Sequence, residues 1–154
     1  MKPYKRVGGI HQMEHLFRVA ASVDINKSDV ERYYDFVDHK VSDLLLMGQA
    51  AATANRRDTV EAWDLPITKG LQESIHAFEQ LDLEIGLEPI LERSIPRPAD
   101  LDRPYSEKTE TRLPAIAGGL SVALARAFKI IDPDLKNPVS EHWECAFRIF
   151  DQLL

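Results

Sequence analysis

Residues 30–55, VERYYDFVDHKVSDLLLMGQAAATAN, set the expected fold. Candidate inward positions recur along this segment at alternating steps of four and three, which is the spacing of one face of an α-helix. These positions are Val30, Tyr34, Val37, Val41, Leu44, Gly48, Ala51 and Asn55. With a rise of about 1.5 Å per residue the helix would be roughly 39 Å long. A helix of that length needs extensive cover, so we expect it to cross the centre of the structure or to pack on another long helix.

Shorter helical segments flank the long one. The first covers about 11–22, and the other covers about 60–81 with Pro66 inside it. Thr59 is placed to cap this third segment, because a threonine side chain at a helix start accepts a hydrogen bond from a free backbone N–H. Since proline lacks that N–H, we expect Pro66 to bend or restart the helix.

The second half of the chain repeats this order. Its short, long and short helical segments are predicted at 83–95, 106–131 and 139–154, and "VEAWDL" at 60–65 aligns with "SEHWEC" at 140–145. The proline-rich stretch 96–104 is the linker between the halves. No stretch alternates between apolar and polar residues as a strand would. The sequence therefore predicts an all-α protein with a single domain over residues 1–154.

A loop motif strengthens this interpretation. Residues 57–65 read RDTVEAWDL, and Arg57 and Asp64 are spaced so that a charge-assisted pair can tie the loop to the following helix. Archaeal histones carry a similar run between their second and third helices. The positions that fit are Arg57, Thr59, Val60, Ala62, Asp64 and Leu65.

Together, the helix order and the loop motif resemble a small, uncharacterised bacterial family whose members fold two histone-fold motifs into one chain. The resemblance implies a first motif at about 10–80 and a more divergent second motif at about 83–154. It also implies that the two motifs pack as an intramolecular pseudo-dimer, with Arg57, Thr59 and Asp64 as a structural clamp. Histones pair in this way because a lone motif cannot bury its long helix.

The resemblance raises DNA binding as a possible function, but the charges argue against it. The formal net charge is −6, whereas a sequence-independent grip on phosphates needs clustered cations. Asp58 occupies the place of a lysine that lies near phosphate in DNA-binding histones. The remaining candidate contacts, which the resemblance would bring to one small patch at the loops, are Lys5, Arg6, Lys27 and Arg56.

A different chemistry is suggested by residues 11–15, HQMEH, which match the H-x-x-E-H zinc-peptidase pattern. His11 and His15 lie four residues apart and would share one helix face, as two zinc ligands must. However, the apolar stripe of this segment places both on the solvent side, and nothing singles out a third ligand. We therefore expect no metal and no cofactor, with His11 and His15 as weak metal candidates.

The single cysteine, Cys145, excludes an intrachain disulfide and favours a cytoplasmic location. The chain start lacks the apolar run of a signal peptide, and no apolar run predicts a membrane span. The leading hypothesis is a non-enzymatic histone-fold protein that binds another protein or itself. Weak DNA binding as a nucleoid-associated protein is the alternative, and a metal-dependent hydrolase is the third.

Overall fold

The computed structural model describes residues 9–94, 101 and 103–154. Over this part the protein is all-helical and has no strand, only an isolated bridge between Val60 and Tyr105. The all-α prediction is therefore confirmed. The helices are α1 (Ile10–Ala21), α2 (Val30–Ala54), α3 (Lys69–Ile85), α4 (Glu88–Ser94), α5 (Glu107–Ile131) and α6 (Ser140–Leu153).

The two long helices, α2 and α5, have 25 residues each. α5 packs against all five other helices, and every residue from 113 to 122 is buried. A hydrogen bond of 2.7 Å between the Tyr33 and Ser121 hydroxyl groups joins the two long helices inside the core. Burial raises the pKa of Tyr33 far above its usual range, so this hydroxyl stays protonated.

The predicted inner face of α2 is buried at its centre, from Tyr34 to Gly48. Gly48 allows close approach there, because a Cβ atom at this position would lie 2.9 Å from the Leu65 side chain and 3.0 Å from the Val60 side chain. Asn55 was expected inward but is exposed, since it follows the last turn of the helix and has no facing element.

Side chains from both halves of the chain share one aromatic cluster. Phe17 of α1 makes an edge-to-face contact with Tyr33 of α2, and Phe128 of α5 makes another with Trp143 of α6. The two pairs meet where Phe17 approaches both Phe128 and Trp143. Neither half could bury these rings alone.

Loops of the two halves are hydrogen-bonded to each other at both ends of α2. Before α2, the Asp24 N–H donates to the carbonyl oxygen of Lys136 at 2.6 Å. After α2, the Val60 N–H donates to Pro104 at 2.9 Å, and the Ser106 N–H donates back to Val60 at 3.0 Å. Each contact joins a loop of the first half to a loop of the second half.

The predicted start of the third helix is wrong. α3 begins at Lys69, where Thr68 rather than Thr59 supplies the capping hydroxyl. The physical reason is Pro66: it restricts the residue before it to extended backbone, and Leu65 indeed has φ −73° and ψ 131°. Residues Ala62–Asp64 form only a short 3₁₀ turn, so Thr59 has no helix to cap.

The short helix predicted at 83–95 also differs. α3 continues to Ile85, and Gly86 ends it with φ at +73°, a left-handed conformation that glycine adopts without strain. The Asp82 carboxylate then accepts the backbone N–H groups of Leu87 and Glu88, at the start of α4. The apolar residues after Leu83 therefore belong to two helices rather than one.

By length and composition, α5 is the one helix of the described residues that could cross a membrane, with a mean hydropathy of 1.4 over its best window. Of that window, 67% is buried inside the protein. A central helix covered by neighbouring helices has the same composition, and α5 occupies that position here.

Candidate functional site

An apolar groove lies between the start of α3, the second half of α5 and the end of α6. Its volume is about 550 Å³. Its walls include Leu71, Ala127, Ile130, Ile149 and Leu153, and we call it the α3–α5–α6 groove. Its lining is dominated by aliphatic and small side chains, so it can take an apolar surface of a ligand or partner.

Several large aliphatic side chains of the groove are exposed to solvent. Ile130 is 82% exposed and Leu153 is 72% exposed, while Ile149 is more than a third exposed. Helical spacing within 106–131 predicts an inward face made of Leu113, Ile116, Leu120, Ala123, Ala127 and Ile130. At Ile130 this prediction is wrong. Ile130 lies in the last turns of α5, beyond the tight contact that α3 makes at Gly118 and Gly119.

Arg126 is the only charged residue in the described lining of this groove. Its side chain is exposed, and it forms no ion pair with the described residues. Several other cations are paired: Arg57 with Asp64, and Arg103 with Asp58. The groove thus combines an apolar surface with one positively charged side chain that has no ion-pair partner among the described residues.

The Arg57–Asp64 pair predicted from the sequence is present. The Arg57 guanidinium donates to both carboxylate oxygens of Asp64, at 2.6 Å for the Nη1–Oδ2 contact. The Glu61 N–H donates to the same carboxylate at 2.8 Å. The hydrogen bonds from Arg57 hold the pKa of Asp64 below its usual range. Thr59 takes part only through its carbonyl oxygen, which accepts a long contact from Arg57.

This pair positions the loop between α2 and α3, which is hydrogen-bonded to the second half. Val60, which bonds to Pro104 and Ser106, lies between Arg57 and Asp64. The Val60 carbonyl also accepts the Thr109 hydroxyl at 2.9 Å inside the protein. We conclude that the Arg57–Asp64 pair contributes to structure at the contact between halves.

We expect Asp64→Asn to lower the free energy of unfolding at pH 7 by about 1 to 2 kcal/mol, a value limited by the partial exposure of Arg57. Because the folded pKa of Asp64 is depressed, the charged form stabilises the fold above the unfolded pKa. That stabilisation declines as the pH falls below about 4 and is lost once the pH is below the folded pKa. Urea unfolding should therefore show a difference in stability between wild type and Asp64→Asn that is smaller at pH 3 than at pH 7.

The matched control is Asp58→Asn, since Asp58 lies on the same loop but is fully exposed. We expect little change in stability for this variant at either pH. A difference between wild type and Asp64→Asn that stays constant from pH 7 to pH 3 would contradict the assignment of a stabilising charge to Asp64.

The structure does not bring Lys27 and Arg56, the described members of the expected basic patch, together. Lys27 and Arg56 are exposed, but Lys27 precedes α2 and Arg56 follows it, so about 38 Å of helix separates them. The reason is that each loop pairs with a loop of the other half rather than with its own. Lys5 and Arg6 lie outside the described residues.

His11 and His15 lie on the exposed face of α1, while Met13, Leu16 and Phe17 form its buried face. His11 is 3.9 Å from the Glu14 carboxylate. No group of three or more potential ligating side chains occurs among the described residues. The structure therefore brings no third ligand from these residues to the two histidines.

A second cavity, of about 460 Å³, lies between α4 and the start of α5. Four carboxylates line it: Glu88, Glu92, Glu107 and Glu110. Burial and neighbouring acids, Asp82 first among them, raise the pKa of Glu88. This cavity is acidic, in contrast to the α3–α5–α6 groove.

Sequence reasoning missed the buried Lys40. It lies on α2 and pairs with Asp43 of the same helix at 3.3 Å and with Asp151 of α6. Its side chain is almost fully buried. A lysine within a helical pattern is normally predicted to face solvent. Its burial depends here on Asp151 of a distant helix, so no local signal in the sequence could have predicted the contact between Lys40 and Asp151.

The helix order and the shared core define an all-helical protein built from two short–long–short halves. Residues 13–151 match the family described as "Domain of unknown function (DUF1931)", and the chain belongs to that family. A protein of Aquifex aeolicus (strain VF5) is 29% identical over 150 residues, which cover 96% of this chain and 85% of that protein.

Two solved structures from bacteria are similar over nearly the whole chain. A crystal structure of a Thermus thermophilus protein has 42% sequence identity and a TM-score of 0.82, covering 94% of this chain and 97% of that one. A crystal structure of an Aquifex aeolicus protein has 25% identity and a TM-score of 0.82, covering 99% and 100%.

Proposed function

We propose that this protein is a non-enzymatic, intramolecular histone-fold pair that acts by binding another protein through the α3–α5–α6 groove. The helix order short–long–short, present twice, supports the architecture. Hydrogen bonds between loops also support it. The loop before α2 is bonded to the loop after α5, and the loop before α5 is bonded to the loop after α2. This pairing joins the two halves at both ends of α2.

The intramolecular pairing has a consequence for function. Ordinary histones cover their long helices by dimerising, whereas here α2 and α5 are covered within one chain. Pairing with a second chain is therefore not required for folding. An apolar surface that stays exposed after this pairing is available for a separate interaction.

The observation that carries the proposal is the exposure of Ile130 and Leu153 on one groove. Single exposed aliphatic residues are common, but large ones gathered on a concave apolar surface are typical of interaction sites. The alternative, weak DNA binding, has less support because Lys27 and Arg56 are far apart and the net charge is −6.

The test is a quantitative pull-down with tagged protein from an extract of the organism that produces it. The groove variant is Ile130→Asp combined with Leu153→Asp. The control is Leu83→Asp, which alters an equally exposed leucine on α3 outside the groove lining. We expect partners that wild type and control retain and the groove variant loses.

All three proteins must show the same far-ultraviolet circular dichroism, which is expected because the substituted side chains are exposed. A wild-type protein that is monomeric and retains the same proteins as the groove variant would contradict the proposal. Steeply salt-dependent DNA binding in fluorescence anisotropy would instead support the alternative.

A further inference from the structure

We infer that the α3–α5–α6 groove receives an acidic amphipathic helix of a partner protein. This inference rests on the proposed function and names the chemistry of the partner. Two features of the groove carry it: the arrangement of its apolar walls and the charge of Arg126.

The walls have the form of a helix-binding groove. One wall is a stripe of α5, with Ala123, Ala127 and Ile130 at helical spacing. The facing wall is a stripe of α6, with Ile149 and Leu153 four residues apart. An amphipathic helix that lays its apolar face between two such stripes is a common mode of recognition.

Small residues in the groove allow a third helix to approach closely. Gly70 has no atom within 4 Å of the position that its Cβ would occupy, and the two alanines of α5 leave room above the helix backbone. A third helix could therefore lie along the groove with its larger side chains beside Ile130 and Leu153. The cavity of about 550 Å³ is open rather than enclosed, as this mode requires.

The charge of the partner follows from Arg126. A cation that is covered by an apolar partner loses hydration, and this loss is compensated only if the partner supplies a hydrogen-bonded anion. Arg126 has no such anion among the described residues. A carboxylate on the polar edge of the bound helix would satisfy it, whereas a basic helix would add repulsion.

A second copy of this chain fits the groove less well. In a symmetric dimer the same patch faces itself, so two Arg126 side chains would approach one another. This electrostatic cost favours a different protein as the occupant.

The experiment uses two fluorescent peptides of about 18 residues, long enough to form a helix on binding. Both carry leucines at the same i, i+3, i+4 and i+7 positions. One has glutamate at the flanking polar positions, and the other has lysine. Anisotropy titrations are made with the full chain: wild type, Arg126→Glu, Ile130→Asp and the control Arg148→Glu, which reverses an exposed arginine of α6 outside the groove lining.

We expect wild type to bind the glutamate peptide at least about tenfold more tightly than the lysine peptide. Arg126→Glu should abolish or reverse this preference, and Ile130→Asp should remove binding of both peptides. Arg148→Glu should change neither affinity by more than about twofold, since Arg148 lies outside the groove lining and an exposed charge is screened by salt.

Different failures identify different errors. Equal affinity for the two peptides, with binding still lost in Ile130→Asp, would overturn the acidic partner and leave the groove as a binding site. Absence of saturable binding of both peptides would overturn the helix as occupant, while the pull-down judges the groove independently. A concentration-dependent dimer in sedimentation that Ile130→Asp dissociates would overturn the inference by assigning the groove to a second copy.

Discussion

Gly119→Ala is expected to lower the free energy of unfolding by about 2 to 3 kcal/mol, which is the range for overpacking a tight core. A Cβ atom at this position would lie 2.5 Å from Cγ1 of Ile75 and 2.8 Å from its Cα and N atoms. The backbone of α3 cannot rotate away as a side chain can, so α3 and α5 must separate. The intrinsic preference of alanine for helix offsets about 1 kcal/mol at most.

Urea unfolding followed by circular dichroism measures this effect. Gly70→Ala is the matched control, because Gly70 lies in the first turn of α3 and a Cβ atom there would meet no atom within 4 Å. We expect this control to be as stable as wild type or slightly more stable, since alanine restricts the unfolded chain. If Gly119→Ala were as stable as Gly70→Ala, the close contact between α3 and α5 would be incorrect.

Trp143→Ala should have the larger effect, a loss of about 3 to 5 kcal/mol. Trp143 is 1% exposed. Its ring is 5.0 Å from the ring of Phe128 and 5.9 Å from that of Phe147, both in edge-to-face geometry. Removal of the indole would leave a cavity where α1, α5 and α6 meet, and the surrounding rings cannot fill it.

Trp63→Ala is the control, because Trp63 is 72% exposed even though Arg57 lies 5.8 Å above its ring. We expect a change within about 0.5 kcal/mol, as for other surface positions. If Trp143→Ala fails to fold, Trp143→Phe keeps most of the ring, and we expect it to lose about 1 to 2 kcal/mol. Equal losses for Trp63→Ala and Trp143→Ala would contradict the described core.

The two tryptophans also show where sequence comparison between the halves misleads. The alignment of 60–65 with 140–145 pairs Trp63 with Trp143, yet Trp63 lies in a 3₁₀ turn and Trp143 lies in α6. Pro66 prevents the first segment from continuing as a helix, while the second has no proline after its tryptophan. One residue thus changes the local structure of an otherwise similar pattern.

The long helices were predictable because their signals are local. The 3–4 spacing marks α2, and Ser106 caps α5 by accepting the N–H of Thr109. The Arg57–Asp64 pair was predictable for the same reason, since its members are seven residues apart. Periodicity determines which side of a helix is apolar, but not which turns another helix covers, and this explains the error at Ile130.

The α3–α5–α6 groove could not be predicted from the sequence. It combines Leu71, Arg126 and Leu153, which are brought together only by the packing of three helices. The hydrogen bonds between loops of opposite halves could not be predicted either, because their members, such as Asp24 and Lys136, are far apart in the sequence. The basic patch was expected on the assumption that loops of the same half meet, and the structure corrects that assumption.

The central claim is that neither half of the chain folds without the other, because the two halves share one core. The most direct test is to express residues 1–97 and 98–154 as separate fragments, with the break placed in the linker, and to record circular dichroism and elution volume. We predict that each fragment alone lacks a cooperative thermal transition, and that equimolar mixing restores the helicity and the transition of the intact chain. A fragment that unfolds cooperatively by itself, unchanged by mixing, would contradict the claim.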